Sequence, residues 1–388
     1  MTRPDPVGLL DPATHAWLTW HALPGARLRE VGPLPGGFTN DMAVLTAQRA
    51  DAVGAERYVL RRYRPSGSRV PRNTCAVEIA VLDRAAARTV PVTAVVAADP
   101  HGRATGRPTL LYRFVDGTPL SQVLADGPVS SDARALGRAV GTVLARIGRV
   151  RLPRPGVFGD SSLVPDPDGA APLGDLPAFV DRCLVTAAAN GPLSGTDSAV
   201  LRALARRGRR ALNAVASERS LVHGDFNPKN VLVRRHAGQW AVAAVLDWEL
   251  AFSGSPLFDV GNMLRFGHEY PSTFTTGFVE GFLGGDGQLP ADWPRLSRTL
   301  DLFALADILT APPDPAYFAR ARRAAPVRHR LVLTGVDRDS PGLTGVHRSR
   351  IGAPPTAPPL SHQSRTLLHS LKTTAVRGGL GSLAKSIG

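Results

Sequence analysis

Asp225, Asn230 and Asp247 stand on two short apolar stretches, Leu221-Val-His-Gly-Asp-Phe-Asn-Pro-Lys-Asn-Val-Leu-Val233 and Ala243-Ala-Val-Leu-Asp-Trp-Glu249, at spacings that suit phosphoryl transfer from a nucleotide. Such transfer needs a carboxylate to accept the hydroxyl proton and oxygen ligands to hold magnesium against the phosphates. Asp225 and Asn230 keep the five-residue interval of a kinase-type catalytic loop, and Asp247 follows a Val/Leu run that reads as a buried strand. Taken singly, His-Gly-Asp and Asp-Trp read equally well as turn and strand-end residues. The interval, the flanking apolar runs and the supporting residues upstream argue jointly for the nucleotide chemistry.

These motifs resemble those of the aminoglycoside phosphotransferase family, small-molecule kinases that share the two-lobed protein-kinase fold. The resemblance spans roughly residues 28–322. It implies an α+β fold with a small antiparallel-sheet N-lobe and a mainly helical C-lobe. It also implies Asp225 as the base that orients the acceptor hydroxyl, Asn230 and Asp247 as magnesium ligands, and ATP or GTP with Mg2+ as phosphoryl donor. Asp-Trp-Glu stands where protein kinases have Asp-Phe-Gly, and Glu249 in place of the glycine argues against a protein-kinase style of switch. His223 reads as a brace of the loop. Asn227 occupies the position two after Asp225 where protein kinases carry a phosphate-facing lysine, whereas Lys229 is the only lysine before residue 372. Which of the two reaches phosphate is open at this level. Asp259 resembles the family's second acidic position and is expected to brace the catalytic loop.

Upstream, Arg57-Tyr-Val-Leu-Arg-Arg-Tyr63 alternates as a strand, so that Val59 and Arg61 share one face and Arg62 turns to the other. In the resembling family this strand carries the residue that holds the α- and β-phosphates. Arg61 and Val59 are therefore the expected nucleotide contacts, and Glu78, on a helix expected over 76–88, is the expected ion-pair partner of Arg61. Gly36 and Gly37, in Pro35-Gly-Gly-Phe-Thr-Asn40, would cover the phosphates with backbone amides, although a plain hairpin turn reads the same way.

The elements that must position these groups follow from periodicity. A helical lead-in is expected over 1–27, and strands over 28–34, 42–46, 57–63 and 108–115, completing an N-lobe of 28–116. The C-lobe is expected over 117–325. It holds a helix through Ala133 to Ile147 capped by Ser130 or Ser131, helices over 178–189 and 198–216 before the catalytic segments, and helices near 258–266, 274–282 and 296–309 after them. A Pro/Gly/Asp-rich connection over 151–176 reads as a loop above the site. Residues 326–388 are basic and rich in Pro, Gly and Ser, and composition of that kind resists burial.

The formal net charge is +14, of which +7 lies in 326–388, so the excess does not mark one nucleic-acid face. No aromatic residue follows Phe318, which also speaks against a single-strand binding tail. The two cysteines, Cys75 and Cys183, lack a zinc-type cluster, and no signal-like or membrane-length apolar segment occurs, so a cytoplasmic location is expected with no membrane partner. The expected activity is O-phosphorylation of a small hydroxylated molecule by a monomer or weak dimer. An aminoglycoside-type antibiotic is the first choice of acceptor; a macrolide, choline, an amino alcohol or a sugar is the alternative within the same fold. A non-catalytic nucleotide- or nucleic-acid-binding protein is the alternative of a different class. Ten carboxylates between Trp240 and Pro315, Glu269 and Glu280 among them, suggest a cationic acceptor.

Overall fold

Alternation along the N-terminal strands decides which side chains meet the cleft. In the computed structural model, which describes residues 10–34, 40–49, 54–64, 74–166, 174–188, 193–310 and 319–322, the chain opens with helix α1 (Pro12–Trp17) and a π-helical turn, Leu18–Ala22. Strands β1 (Ala26–Pro33), β2 (Asp41–Arg49) and β3 (Ala55–Arg62), helix α2 (Cys75–Ala86), and strands β4 (Val95–Asp99) and β5 (Thr109–Arg113) follow. The sheet is antiparallel, in the order β1-β2-β3-β5-β4. Tyr58 and Leu60 of β3 pack with Leu45, Leu111, Trp17 and Leu18 into a core of their own beneath the lead-in. Leu110, Tyr112 and Tyr63 join Val77, Val81 and Leu82 of α2 in the main core. Thr74 caps α2 by accepting from the Val77 amide at 3.2 Å.

Strand β4 was not expected. Val-Val-Ala-Ala-Asp carries no clear alternation, and what makes it a strand is its pairing with β5, Asp99 opposite Thr109. The Pro35–Thr39 segment, with Gly36 and Gly37, lies outside the described residues, as does the whole tail 326–388.

Strand β6 (Thr118–Pro119) and helix α3 (Leu120–Ala125) lead into α4 (Ser130–Gly148), α5 (Leu176–Ala188) and α6 (Gly195–Gly208). Strands β7 (Ser220–Val222), β8 (Val231–His236), β9 (Gln239–Val245) and β10 (Phe252–Gly254) carry the catalytic segments, and α7 (Leu257–Met263), α8 (Ser272–Gly284) and α9 (Trp293–Thr310) complete the lobe. Strands β8 and β9 pair antiparallel, as do β7 and β10, so residues 223–230 and 246–251 emerge as adjacent turns. Val129 is the N-cap of α4 and gives no side-chain bond, so neither Ser130 nor Ser131 caps it. Ser194 and Asp197 form a capping box at α6, which starts three residues before the expected Ser198.

Helices α4 and α8 approach backbone to backbone. A Cβ on Gly137 or Gly141 would lie 2.1 or 2.0 Å from the carbonyl oxygens of Phe274 and Phe278, and one on Gly277 or Gly281 would lie 2.1 Å from those of Arg134 and Arg138. The four glycines hold the two helices in one register, running in the same direction. Among the described residues no helix is long and apolar enough to cross a membrane.

Candidate active site

The 223–230 turn holds Asp225 through its own neighbours. The side-chain amide of Asn227 donates to Asp225 Oδ1 at 2.8 Å, and that of Asn230 donates to Asp225 Oδ2 at 2.9 Å and to its backbone carbonyl at 3.0 Å. Both carboxylate oxygens are thus held by neutral donors, which orients the group. Asn227 Oδ1 in turn accepts from the Lys229 amide at 2.9 Å, so both polar atoms of Asn227 are engaged within the loop, while Lys229 itself is exposed. Gly224 has φ +84, and a Cβ there would fall 2.2 Å from the Leu250 carbonyl oxygen; only glycine lets the two catalytic turns touch.

His223 is fully buried and ties those turns together. Its Nε2–H donates to the Leu246 carbonyl at 2.9 Å, and its Nδ1 accepts from the Asp225 amide at 3.2 Å, a pattern that requires the neutral ring. Desolvation lowers its pKa to about 4 against the upward pull of the Leu246 bond. From α7, Asp259 accepts the amides of His223 and Gly224 at 2.7 and 3.0 Å. Burial raises the Asp259 pKa to about 7 despite those bonds, with the charge of Asp225 adding to the rise. Asn262 donates to the Gly224 carbonyl at 3.3 Å, and Arg265 and Asp301, both buried, continue this support into α9.

The lowered His223 pKa makes a pH prediction. The unfolded histidine titrates near 6.5, so between that pH and about 4 the unfolded chain binds the extra proton, and His223 contributes stability that is present above 6.5 and lost as pH falls to 4. The stability advantage of the parent over His223→Gln in urea unfolding should therefore shrink as pH drops from 7 to 4, by up to about 3 kcal/mol. A pH-independent difference would contradict the neutral, buried ring. Taking the difference between the two proteins removes the opposite slope of Asp259, whose raised pKa costs stability as pH rises through the same window.

Asp247 sits at φ 64 in the left-handed region, on the turn between β9 and the single 3-10 turn Trp248–Leu250, with its side chain 43% exposed. Arg61 meets it from β3. Its Nη1 bonds Glu78 Oε1 at 3.1 Å, and its Nη2 reaches Glu249 Oε2 at 2.5 Å and Asp247 Oδ1 at 3.3 Å. Tyr63 and Tyr112 donate their hydroxyls to Glu78, Tyr63 at 2.7 Å, fixing the far side of that ion pair. Val59 lies two residues before Arg61 on the same face, partly buried against the main core. Arg62 turns to the opposite face and pairs with Asp11 at 2.6 Å. The phosphate role expected for Arg61 predicts that Arg61→Met weakens nucleotide binding by about tenfold or more and Arg62→Met by less than about threefold, measured by titration. A larger effect at Arg62 would contradict the phosphate role expected for Arg61.

Glu249 and Asn40 went unnoticed as partners of this centre in the sequence. Asn40 donates to Glu249 Oε2 at 3.0 Å and accepts from the Arg64 amide at 3.2 Å, across 209 residues of chain in the first case, so no local signal marks either bond.

Among the described residues, five carboxylates of the acidic segment are paired with arginines. Glu280 pairs with Arg134 and Arg138 of α4, which lower its pKa to about 2, and Glu269 pairs with Arg320 at 2.7 Å. Asp286, Asp292 and Asp301 each pair with an arginine as well. Composition alone suggested attraction for a cation, and these arginines spend it.

The sequence profile of the phosphotransferase enzyme family (APH) matches residues 30–298. No curated protein sequence matches significantly. Among solved structures, a putative aminoglycoside phosphotransferase from Ralstonia eutropha JMP134 superposes with a TM-score of 0.59 at 18% identity, covering 83% of this chain and 97% of that one. A thermostable mutant of aminoglycoside phosphotransferase APH(4)-Ia, in ternary complex with ADP and hygromycin B, gives 0.55 at 19% identity over 78% and 94%. The GDP and kanamycin complex of APH(2")-IIia gives 0.53 at 15% over 82% and 98%. The two-lobed fold, with its antiparallel sheet above a helical lobe, is the protein-kinase-like fold of these enzymes. With a profile match from β1 into α9 and the catalytic turns inside it, the chain belongs to the APH phosphotransferase enzyme family.

Proposed function

We propose that the protein transfers the γ-phosphoryl group of ATP or GTP to a hydroxyl of a small molecule, with an aminoglycoside-type antibiotic as the first acceptor class. The observation that carries this reading is the Asp225 carboxylate held by two side-chain amides, one of them from the candidate metal ligand Asn230. The nucleotide and acceptor classes are supported by the ADP, GDP, hygromycin B and kanamycin bound in complexes of similar fold.

Asn230 and Asp247 fit a magnesium ion. The Asn230 amide nitrogen is spent on Asp225, which turns its oxygen away, and Asp247 offers a partly exposed carboxylate whose bond to Arg61 is long at 3.3 Å. Two hard oxygen donors, with water and phosphate completing the shell, are what magnesium accepts. When bound, the ion neutralises phosphate charge. The chain's own groups do the rest. Asp225 accepts a hydrogen bond from the acceptor hydroxyl, aligns it and takes its proton as transfer proceeds. Arg61, fixed by Glu78, holds the α- and β-phosphates, with Val59 beside it on the strand. Lys229, exposed on the loop, is the group that approaches a phosphate oxygen in this reading, because Asn227 is engaged on Asp225. Gly36 and Gly37, the expected cover of the phosphates, lie outside the described residues.

A screen for acceptor-dependent release of nucleoside diphosphate tests this, with ATP and GTP as donors and magnesium present. The acceptor panel is aminoglycosides, macrolides, choline, amino alcohols and sugars. Turnover with an aminoglycoside is expected, and no acceptor-dependent release from any class would overturn the proposal. Glu280→Gln should leave the acceptor KM within about twofold, because that carboxylate is neutralised by α4.

A further inference from the structure

Glu78 is held by more than the arginine it pairs with. Its Oε1 accepts from Arg61 Nη1 at 3.1 Å and from the Tyr112 hydroxyl, and its Oε2 accepts from the Tyr63 hydroxyl at 2.7 Å. All four side chains are buried. Tyr63 directly follows β3, two residues beyond Arg61, and Tyr112 stands on β5 opposite Val59 in the strand register. Both hydroxyls therefore come from the sheet that carries Arg61. The carboxylate itself lies in the first turn of α2, where the Thr74 cap holds the backbone.

The two ends of the Arg61 guanidinium are consequently anchored differently. Nη1 meets a carboxylate that two phenol hydroxyls of the sheet already hold, whereas Nη2 reaches across to the catalytic lobe, to Glu249 at 2.5 Å and Asp247 at 3.3 Å. A buried carboxylate with Arg61 as its one donor would take whatever rotamer the arginine dictates, because leaving that charge unpaired is costly. With the two hydroxyls the order reverses, and Glu78 becomes the fixed point. Tyr63 adds a second contact, for the Arg61 guanidinium carbon lies 5.2 Å from its ring centroid.

Resting on the nucleotide reading above, we infer that Tyr63 and Tyr112 are positioning residues of the nucleotide site, whose hydroxyls clamp Glu78 so that Arg61 is aimed at phosphate before the nucleotide arrives. They act through Glu78 and touch no substrate. With the carboxylate tied to β3 and β5, the cost of ordering the Arg61 side chain falls on folding rather than on binding. Loss of the hydroxyls returns that cost to the binding step.

Titration of ATP and GTP with magnesium present, beside acceptor kinetics, tests this in a mutant cycle with Arg61. Tyr63→Phe and Tyr112→Phe remove the hydroxyls and keep the rings, including the one beside the Arg61 guanidinium. Each should raise the nucleotide Kd about threefold and the double variant about tenfold, with the acceptor KM within about twofold of the parent. In an Arg61→Met background the same double change should shift Kd by less than about twofold, because the clamp then has nothing to aim. A double variant that binds nucleotide within about twofold of the parent would overturn the inference. So would a loss of equal size with and without Arg61, the mark of a general packing defect. Should the double variant fail to fold, either single variant taken through the same Arg61→Met cycle gives the same decision. Absence of nucleotide binding by the parental protein, or parental affinity in Arg61→Met, would instead strike at the nucleotide reading on which the inference rests.

Discussion

Asp225→Asn should lower kcat by about three orders of magnitude while leaving the nucleotide Kd within about threefold of the parent. The substitution is nearly isosteric, and its one side-chain oxygen can still accept from either Asn227 or Asn230, with the other amide giving up its bond at position 225. What is lost is a carboxylate able to align the acceptor hydroxyl and take its proton. The proposed nucleotide-side groups, Arg61 with its partner Glu78 and Asp247, come from other elements, so binding of the donor is expected to be spared. Single-turnover kinetics beside nucleotide titration separate the two. Turnover within about tenfold of the parent would remove Asp225 from the base role.

The largest effect on stability is expected from Gly141→Ala. In an open helix that change stabilises by about 1 kcal/mol. Here the added Cβ falls 2.0 Å from the Phe278 carbonyl oxygen, a backbone atom that cannot step aside, so α4 and α8 must separate and their other close contacts go with them. A loss of about 3 kcal/mol and a fall in Tm of roughly 5 °C are expected. Gly284→Ala is the internal control, for no atom lies within 4 Å of the Cβ it would add at the end of the same helix pair. Equal melting temperatures for the two variants would contradict the backbone contact.

Features set by a short period were legible in the sequence. A strand alternates every two residues, so reading Arg57–Tyr63 was enough to send Arg61 toward Glu78 and Arg62 toward the lead-in, where it meets Asp11. The 3.6-residue spacing through Leu136, Val140, Val143 and Ile147 likewise marked α4. Roles for Asp225, Asn230 and Asp247 came from the motif resemblance, because spacing alone does not distinguish a base from a turn residue. What escaped was set by tertiary partners. Strand β4 exists through β5, the Asn40–Glu249 bond closes 209 residues of chain, and the arginines that neutralise Glu280 are brought to it by a glycine register between α4 and α8. A count of carboxylates along the segment carries no record of those arginines.

The most direct measurement is the fate of the γ-phosphoryl group. Parental protein and Asp225→Asn are each incubated with γ-labelled nucleotide, magnesium and the acceptor panel, and the products are resolved by mass spectrometry and phosphorus NMR. The account predicts a labelled phosphate monoester on one acceptor hydroxyl with the parental protein, and none above background with the variant. Label appearing only as free phosphate, or the same ester formed equally by the variant, would contradict it.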